Sequence, residues 1–196
     1  MDFSLKRTVY YTIVIVVMVL IVSHVCMCQT IKPGSLRYLT DENGFNQIML
    51  GADLSSVPFD KLSYLDDNNE FDQDSCMLYQ YHDSNALKIT PDLMIQSIGL
   101  RTYKNKIVNI YLFFYRTDGY KVLNAFLTKY GQFTGRVSDY ADVYDWKTDR
   151  LTLTLKYQLN VDLGVAIFTN TSLASAINER NKSIARLRQL LITNNF

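Results

Sequence analysis

The chain has 196 residues, 48% of them apolar and 20% charged, with a formal net charge of +1. That composition belongs to a folded globular protein and excludes a disordered one. With residues 1–28 set aside, 18 basic and 18 acidic residues remain, and a neutral domain offers no electrostatic footing for nucleic acid.

Met1–Cys28 opens with a short cationic stretch, Lys6 and Arg7, followed by an apolar run of 11 residues, Thr12–Val22, and then polar Ser23 and His24. A bilayer-spanning helix needs roughly 20 apolar residues, so this is the build of a secretory signal peptide. Cys26 and Cys28, small residues two apart, suit cleavage before Gln29. Two alternatives stay open: an uncleaved membrane anchor over residues 9–28, and acylation of Cys26 or Cys28. An exported chain cleaved there keeps only Cys76, which opens an apolar strand and reads as a small buried hydrophobe. The domain must then stand on its core without disulfides.

Residues 29–44 carry Pro33, Gly34, Asp41, Asn43 and Gly44 and read as a flexible lead-in to a single domain over residues 45–196. Phe45–Leu50 is a strand ended by Gly51. Ser55 or Ser56, with Pro58 in the first turn, predicts a helix to about Leu65 that buries Val57, Leu62, Phe59 and Leu65. Asp66–Asp74 is acidic, but Phe71 stands where a calcium loop needs glycine and Met77 where it needs glutamate, so a solvated loop is expected.

Cys76–His82 is a strand, with Met77, Tyr79 and Tyr81 on one face. Ile98–Tyr115 is a β-hairpin broken at Lys104-Asn105-Lys106. Strict alternation in its second arm sets Val108, Ile110, Leu112 and Phe114 against Ile107, Asn109, Tyr111, Phe113 and Tyr115. Tyr120–Tyr130 has helical spacing and stops at Gly131. Val143–Trp146 and Arg150–Gln158 form a second hairpin, Gly164–Thr169 a last strand, and Leu173–Leu191 a closing helix capped by Ser172. That helix has an apolar stripe and a basic outer side of Arg180, Lys182, Arg186 and Arg188.

These elements predict an α+β fold: an antiparallel sheet with helices packed on one face, two pseudo-repeated helix-plus-strands units and a closing C-terminal helix. The order of elements from Phe45 to Thr169 resembles the β-lactamase inhibitory protein fold, which implies a sheet face presenting aromatics to another protein. Phe45 to Leu50-Gly51, Tyr130-Gly131, Tyr144–Trp146 and the Ile167–Asn170 ending look like small uncharacterised exported proteins of Bacteroidota-type bacteria. That likeness implies a periplasmic or envelope location.

No nucleophile elbow, phosphate loop or dinucleotide fingerprint is present, and no cofactor is expected. His82 and Cys76 are the only soft metal ligands after residue 28, which argues against zinc. The candidate binding residues are Tyr79, Tyr81, Tyr111, Phe113, Tyr115, Tyr144 and Trp146. On an open sheet face they form a patch for a protein or an envelope glycan; beneath helices they fill a core. The function expected is therefore a non-enzymatic exported binding module of the bacterial envelope. The alternatives are a small periplasmic enzyme using His82 or loop carboxylates such as Asp142 and Asp145, and a membrane-tethered assembly factor.

Overall fold

A computed structural model describes residues 32–65, 76–136, 142–157 and 162–193, the side chains of the last helix as far as Arg186. The expected leader, the acidic loop, and Leu187, Arg188 and Leu191 as side chains lie outside the described residues. The compact unit begins at Pro33.

The stretch expected to be a flexible lead-in is helical: α1, Leu36–Glu42. One of the residues that suggested coil, Asn43, is its C-cap, and the N-cap is Ser35. Ser35 accepts a hydrogen bond from the Tyr38 N–H, and Asn43 ends the helix in the left-handed conformation at φ 46°. Leu39, fully buried, holds the short helix to the core. Phe45–Leu50 is likewise not one strand but a hairpin, β1 (Gly44–Phe45) and β2 (Ile48–Met49), turned at Asn46-Gln47.

Ser55–Leu65 is not a helix. It forms two 3-10 turns, Leu54–Ser56 and Phe59–Lys61, and then strand β3, Leu62–Leu65. The backbone just before it is already committed. Gly51 N–H donates to the Ile107 carbonyl, Ile107 N–H to Ala52, and Leu54 N–H to Asn105. Pro58 cannot donate to a helical ladder, and β3 finds its partners across the sheet. Val57 is buried as expected, but Phe59 is 85% exposed.

The remaining strands are β4 (Cys76–Tyr81), β5 (Lys88–Thr90), β6 (Leu93–Met94), β7 (Ser97–Tyr103), β8 (Lys106–Tyr115), β9 (Gly135–Arg136), β10 (Val143–Lys147), β11 (Leu151–Lys156) and β12 (Leu163–Asn170). The helices that follow α1 are α2 (Gly119–Tyr130) and α3 (Thr171–Thr193). Among the described residues the main sheet is antiparallel, with eight strands in the order β3-β4-β7-β8-β12-β11-β10-β9. It consists of two four-stranded meanders, each preceded by a helix, whose last strands β8 and β12 pair at the centre from Leu163↔Tyr115 to Thr169↔Asn109. The α+β fold and closing helix expected from the sequence are present. The pseudo-repeat rests on α1 and α2, not on Ser55–Leu65.

The β7–β8 turn places Lys104 and Asn105 at φ 49° and 62°, the primed geometry that matches strand twist. A bulge follows: Arg101 pairs with Asn109 but Thr102 with Ile107, leaving Val108 between them. One extra residue reverses the alternation locally. Ile107 therefore joins Ile110, Leu112 and Phe114 beneath the helices, and Val108 goes to the opposite face.

On the first face, α1 and α2 cover the main core. Phe126 and Tyr130 of α2 meet Phe168 edge-on at 6.2 and 6.3 Å between ring centres, and Phe126 meets Trp146 at 6.0 Å. Gly131 ends α2 at φ 78°, ψ −165°, a region open only to glycine. Its carbonyl accepts the Trp146 indole N–H at 2.8 Å. A Cβ there would sit 2.7 Å from the Gly34 carbonyl oxygen. The seam between α1 and α2 is closed by Glu42, which accepts from Lys129 Nζ at 2.6 Å and from Tyr130 Oη at 2.8 Å. The closing helix goes to the other face. Asn170, not Ser172, caps it through Leu173 N–H, and Ile177 packs with Cys76, Tyr103 and Val108. Cys76 is 5% exposed, the small buried hydrophobe expected.

Candidate functional site

Strand alternation divides the seven candidate residues between two faces. Tyr79, Tyr81, Tyr144 and Trp146 lie on the face of α1 and α2. Trp146 is fully buried, and Tyr144 and Tyr81 are nearly so. Tyr144 packs against Phe133 at 5.1 Å and stacks on Tyr157 at 6.1 Å. Tyr81 donates to Asp83 Oδ2 at 3.2 Å. These side chains fill and fasten the core, so the seven do not form one patch. Tyr79, half-buried at the sheet margin, meets Tyr64 edge-on at 5.6 Å, and its hydroxyl reaches Met77 Sδ at 3.3 Å.

Tyr111, Phe113 and Tyr115 share the opposite face. Tyr111 and Phe113 are stacked at 6.2 Å with their planes 12° apart. Cross-strand pairing sets Ile167, Val165 and Leu163 of β12 directly beside them. On the other flank Tyr111 is opposite Gly99, and its side chain and that of Phe113 lie 3.5 Å from where a Gly99 Cβ would be. The result is an aromatic and aliphatic strip that grows more open toward its end, where Tyr115 is 52% and Leu163 43% exposed. Burial pushes the Tyr111 hydroxyl above its ordinary range, and the nearby Arg101 guanidinium opposes that shift. The strip continues into a polar band in which Asn109 Nδ2 donates to Thr169 Oγ1 at 2.8 Å. Beyond it lie Val108, Tyr103 and the first turns of α3.

His82 Nε2 lies 2.6 Å from Ser63 Oγ, an exposed pair that the sequence separation conceals. Asp83, its neighbour in sequence, faces elsewhere: it accepts from Lys61 Nζ at 2.6 Å, from Tyr81 and from Asn85 N–H. The Lys61 hydrogen bond, first among several causes, holds the Asp83 carboxyl below its usual range. Among the described residues no carboxylate is hydrogen-bonded to His82, the place an orienting acid takes beside a serine nucleophile and its base. Asp145 is 7% exposed and accepts from Thr154 Oγ1 at 2.7 Å, a satisfied structural carboxylate. Among the described residues no group of three His, Cys, Asp or Glu could hold a metal ion, and no helix is long and apolar enough to cross a membrane. On α3, Lys182 pairs with Glu179 at 2.8 Å, and the Arg180 guanidinium lies 6.0 Å from the Tyr103 ring centre.

No protein-family model matches the chain, and no curated protein or solved structure matches it.

Proposed function

We propose that the chain is an exported, non-enzymatic binding module that docks a partner protein on the strip formed by Tyr111, Phe113, Tyr115, Leu163 and Val165. The carrying observation is the pairing of β8 with β12. It lays three aromatic side chains against three aliphatic ones, on the face away from α1 and α2, and leaves the outer pair about half exposed. Aromatic side chains on a sheet add contact area at little entropic cost, and interface anchors are drawn from them. Export rests on the leader-like Met1–Cys28, and the periplasmic or envelope location rests on the resemblance to small exported proteins of Bacteroidota-type bacteria. Intact mass of the protein recovered from its native host tests that part. A chain starting at Gln29 supports export with cleavage, and an unprocessed chain found in the cytosol refutes it.

The docking surface is tested by site-specific photo-crosslinking in the native host. A crosslinker at Tyr115 or Leu163 gives a discrete adduct, one at Asn124 on α2 does not, and Val165→Arg abolishes the first. Equal yields from both faces, or adducts indifferent to Val165→Arg, refute the surface.

A further inference from the structure

A second feature lies apart from the strip and shares no residue with it. The β1–β2 turn and the loop after β4 border a half-open cavity of about 340 Å³. Hydrogen bonds tie its walls together. Asn46 Nδ2 donates to the Ala86 carbonyl at 2.9 Å and ties the two loops together across 40 residues of sequence. Asn85 N–H donates to Asp83 Oδ1 at 2.9 Å, and Ala86 N–H to the Asp83 carbonyl at 3.0 Å. Asp83 is itself held by Lys61 and by the Tyr81 hydroxyl.

Three side chains lining this preformed cavity make no hydrogen bond or ion pair among the described residues: Gln47, Asn85 and Lys88. Two are amides, each both donor and acceptor, and one is an ammonium donor. The buried side chains of Ile48 and Tyr81 supply an apolar base. A sugar ring presents the complement, since its vicinal hydroxyls donate and accept at once and its C–H face is apolar. A phosphate suits the cavity less well, because Asp83 carries negative charge beside it and Lys61 is already committed to Asp83. The volume is at the lower end of the ~300–1,000 Å³ range of small-molecule sites, room for one ring.

We propose that this cavity binds a single sugar residue, with Gln47, Asn85 and Lys88 as its hydrogen-bonding groups. The test is an amide chemical-shift titration of the full-length chain with glucose, galactose, N-acetylglucosamine and glucuronate in turn. At least one gives saturable shifts centred on residues 46–48 and 83–88. Gln47→Ala and Asn85→Ala, both at exposed positions, each weaken it about fivefold, the effect of one lost hydrogen bond, and leave distant resonances unmoved. No saturable shift with any of the sugars, shifts centred elsewhere, or unchanged affinity in the double variant overturns the assignment. Loss of sugar binding leaves the protein-docking strip untouched, so the two proposals fail separately.

Discussion

Trp146 is the only tryptophan in the chain, and a single substitution there measures how the aromatic residues are shared between core and surface. It is fully buried between Phe126 and Phe133, and its indole N–H is bound to the carbonyl of Gly131. Trp146→Phe removes that hydrogen bond, at about 1 kcal/mol net. It also opens a void about the size of one water molecule, ~30 Å³, which at ~24 cal/mol per Å³ costs about 0.7 kcal/mol. Lost apolar burial equivalent to one CH₂ adds about 0.8 kcal/mol. The expected destabilisation is about 2–3 kcal/mol, a fall in Tm of roughly 5–10 °C for a chain of this size. Urea unfolding followed by far-UV circular dichroism supplies the number. In the unsubstituted protein the tryptophan emission is blue-shifted and shielded from acrylamide, and both properties are lost in the same unfolding transition. Tyr115→Ala, on the strip, stays within about 0.5 kcal/mol of the parent. A Trp146→Phe effect below that same level, or free quenching of native Trp146, would refute the placement of β10 beneath α2.

Other substitutions probe other joints. Gly164 lies under the Phe114 ring, and a Cβ there would come within 2.3 Å of it; Gly164→Ala should cost about 1–3 kcal/mol by overpacking, and Phe114→Leu should relieve part of that cost in the double variant. Glu42→Gln weakens the contacts to Lys129 and Tyr130 and should cost about 1–2 kcal/mol, with hydrogen exchange rising first in α1. Tyr130 and Tyr157 have pKa values raised above the ordinary 10.0, Tyr130 by burial and then Glu42, Tyr157 by burial and then its hydrogen bond with Tyr144. The folded state therefore holds protons that the unfolded chain releases, so their contribution is complete below about pH 10 and is lost as pH climbs above it. Tyrosinate absorbance should show a subset of tyrosines ionising only with alkaline unfolding, and Tyr130→Phe should remove part of that steepness.

Much of the architecture was legible in local pattern. Tyr120–Tyr130 carries a helical stripe ended by glycine, and Leu151–Lys156 alternates cleanly between core and solvent, so both elements emerged nearly at their observed bounds. The misplaced helix has a specific cause. Ser55 and Pro58 are helix-start residues, but Ala52 and Leu54 are already bonded to the start of β8, a partner about 50 residues away. At α1 the error runs the other way, since Ser35 and Asn43 are both loop residues and caps, and only the burial of Leu39 distinguishes the two roles.

The candidate site shows the same boundary. Which residues within one strand share a face follows from the two-residue period, and Tyr111, Phe113 and Tyr115 were grouped on that ground alone. Whether that face matches the face of Tyr144 and Trp146 depends on which strands adjoin and in what register. A single bulge at Val108, or the order β8-β12-β11-β10, changes the answer without altering any local signal. The Ser63–His82 pair and the Asn46–Ala86 tie across the cavity are likewise products of long-range pairing. Side-chain periodicity decided what α2, β8 and β11 are. Packing of non-local strands and helices decided which side of the sheet each aromatic side chain faces, because hydrophobic burial depends on the neighbours a segment meets and not on its own sequence.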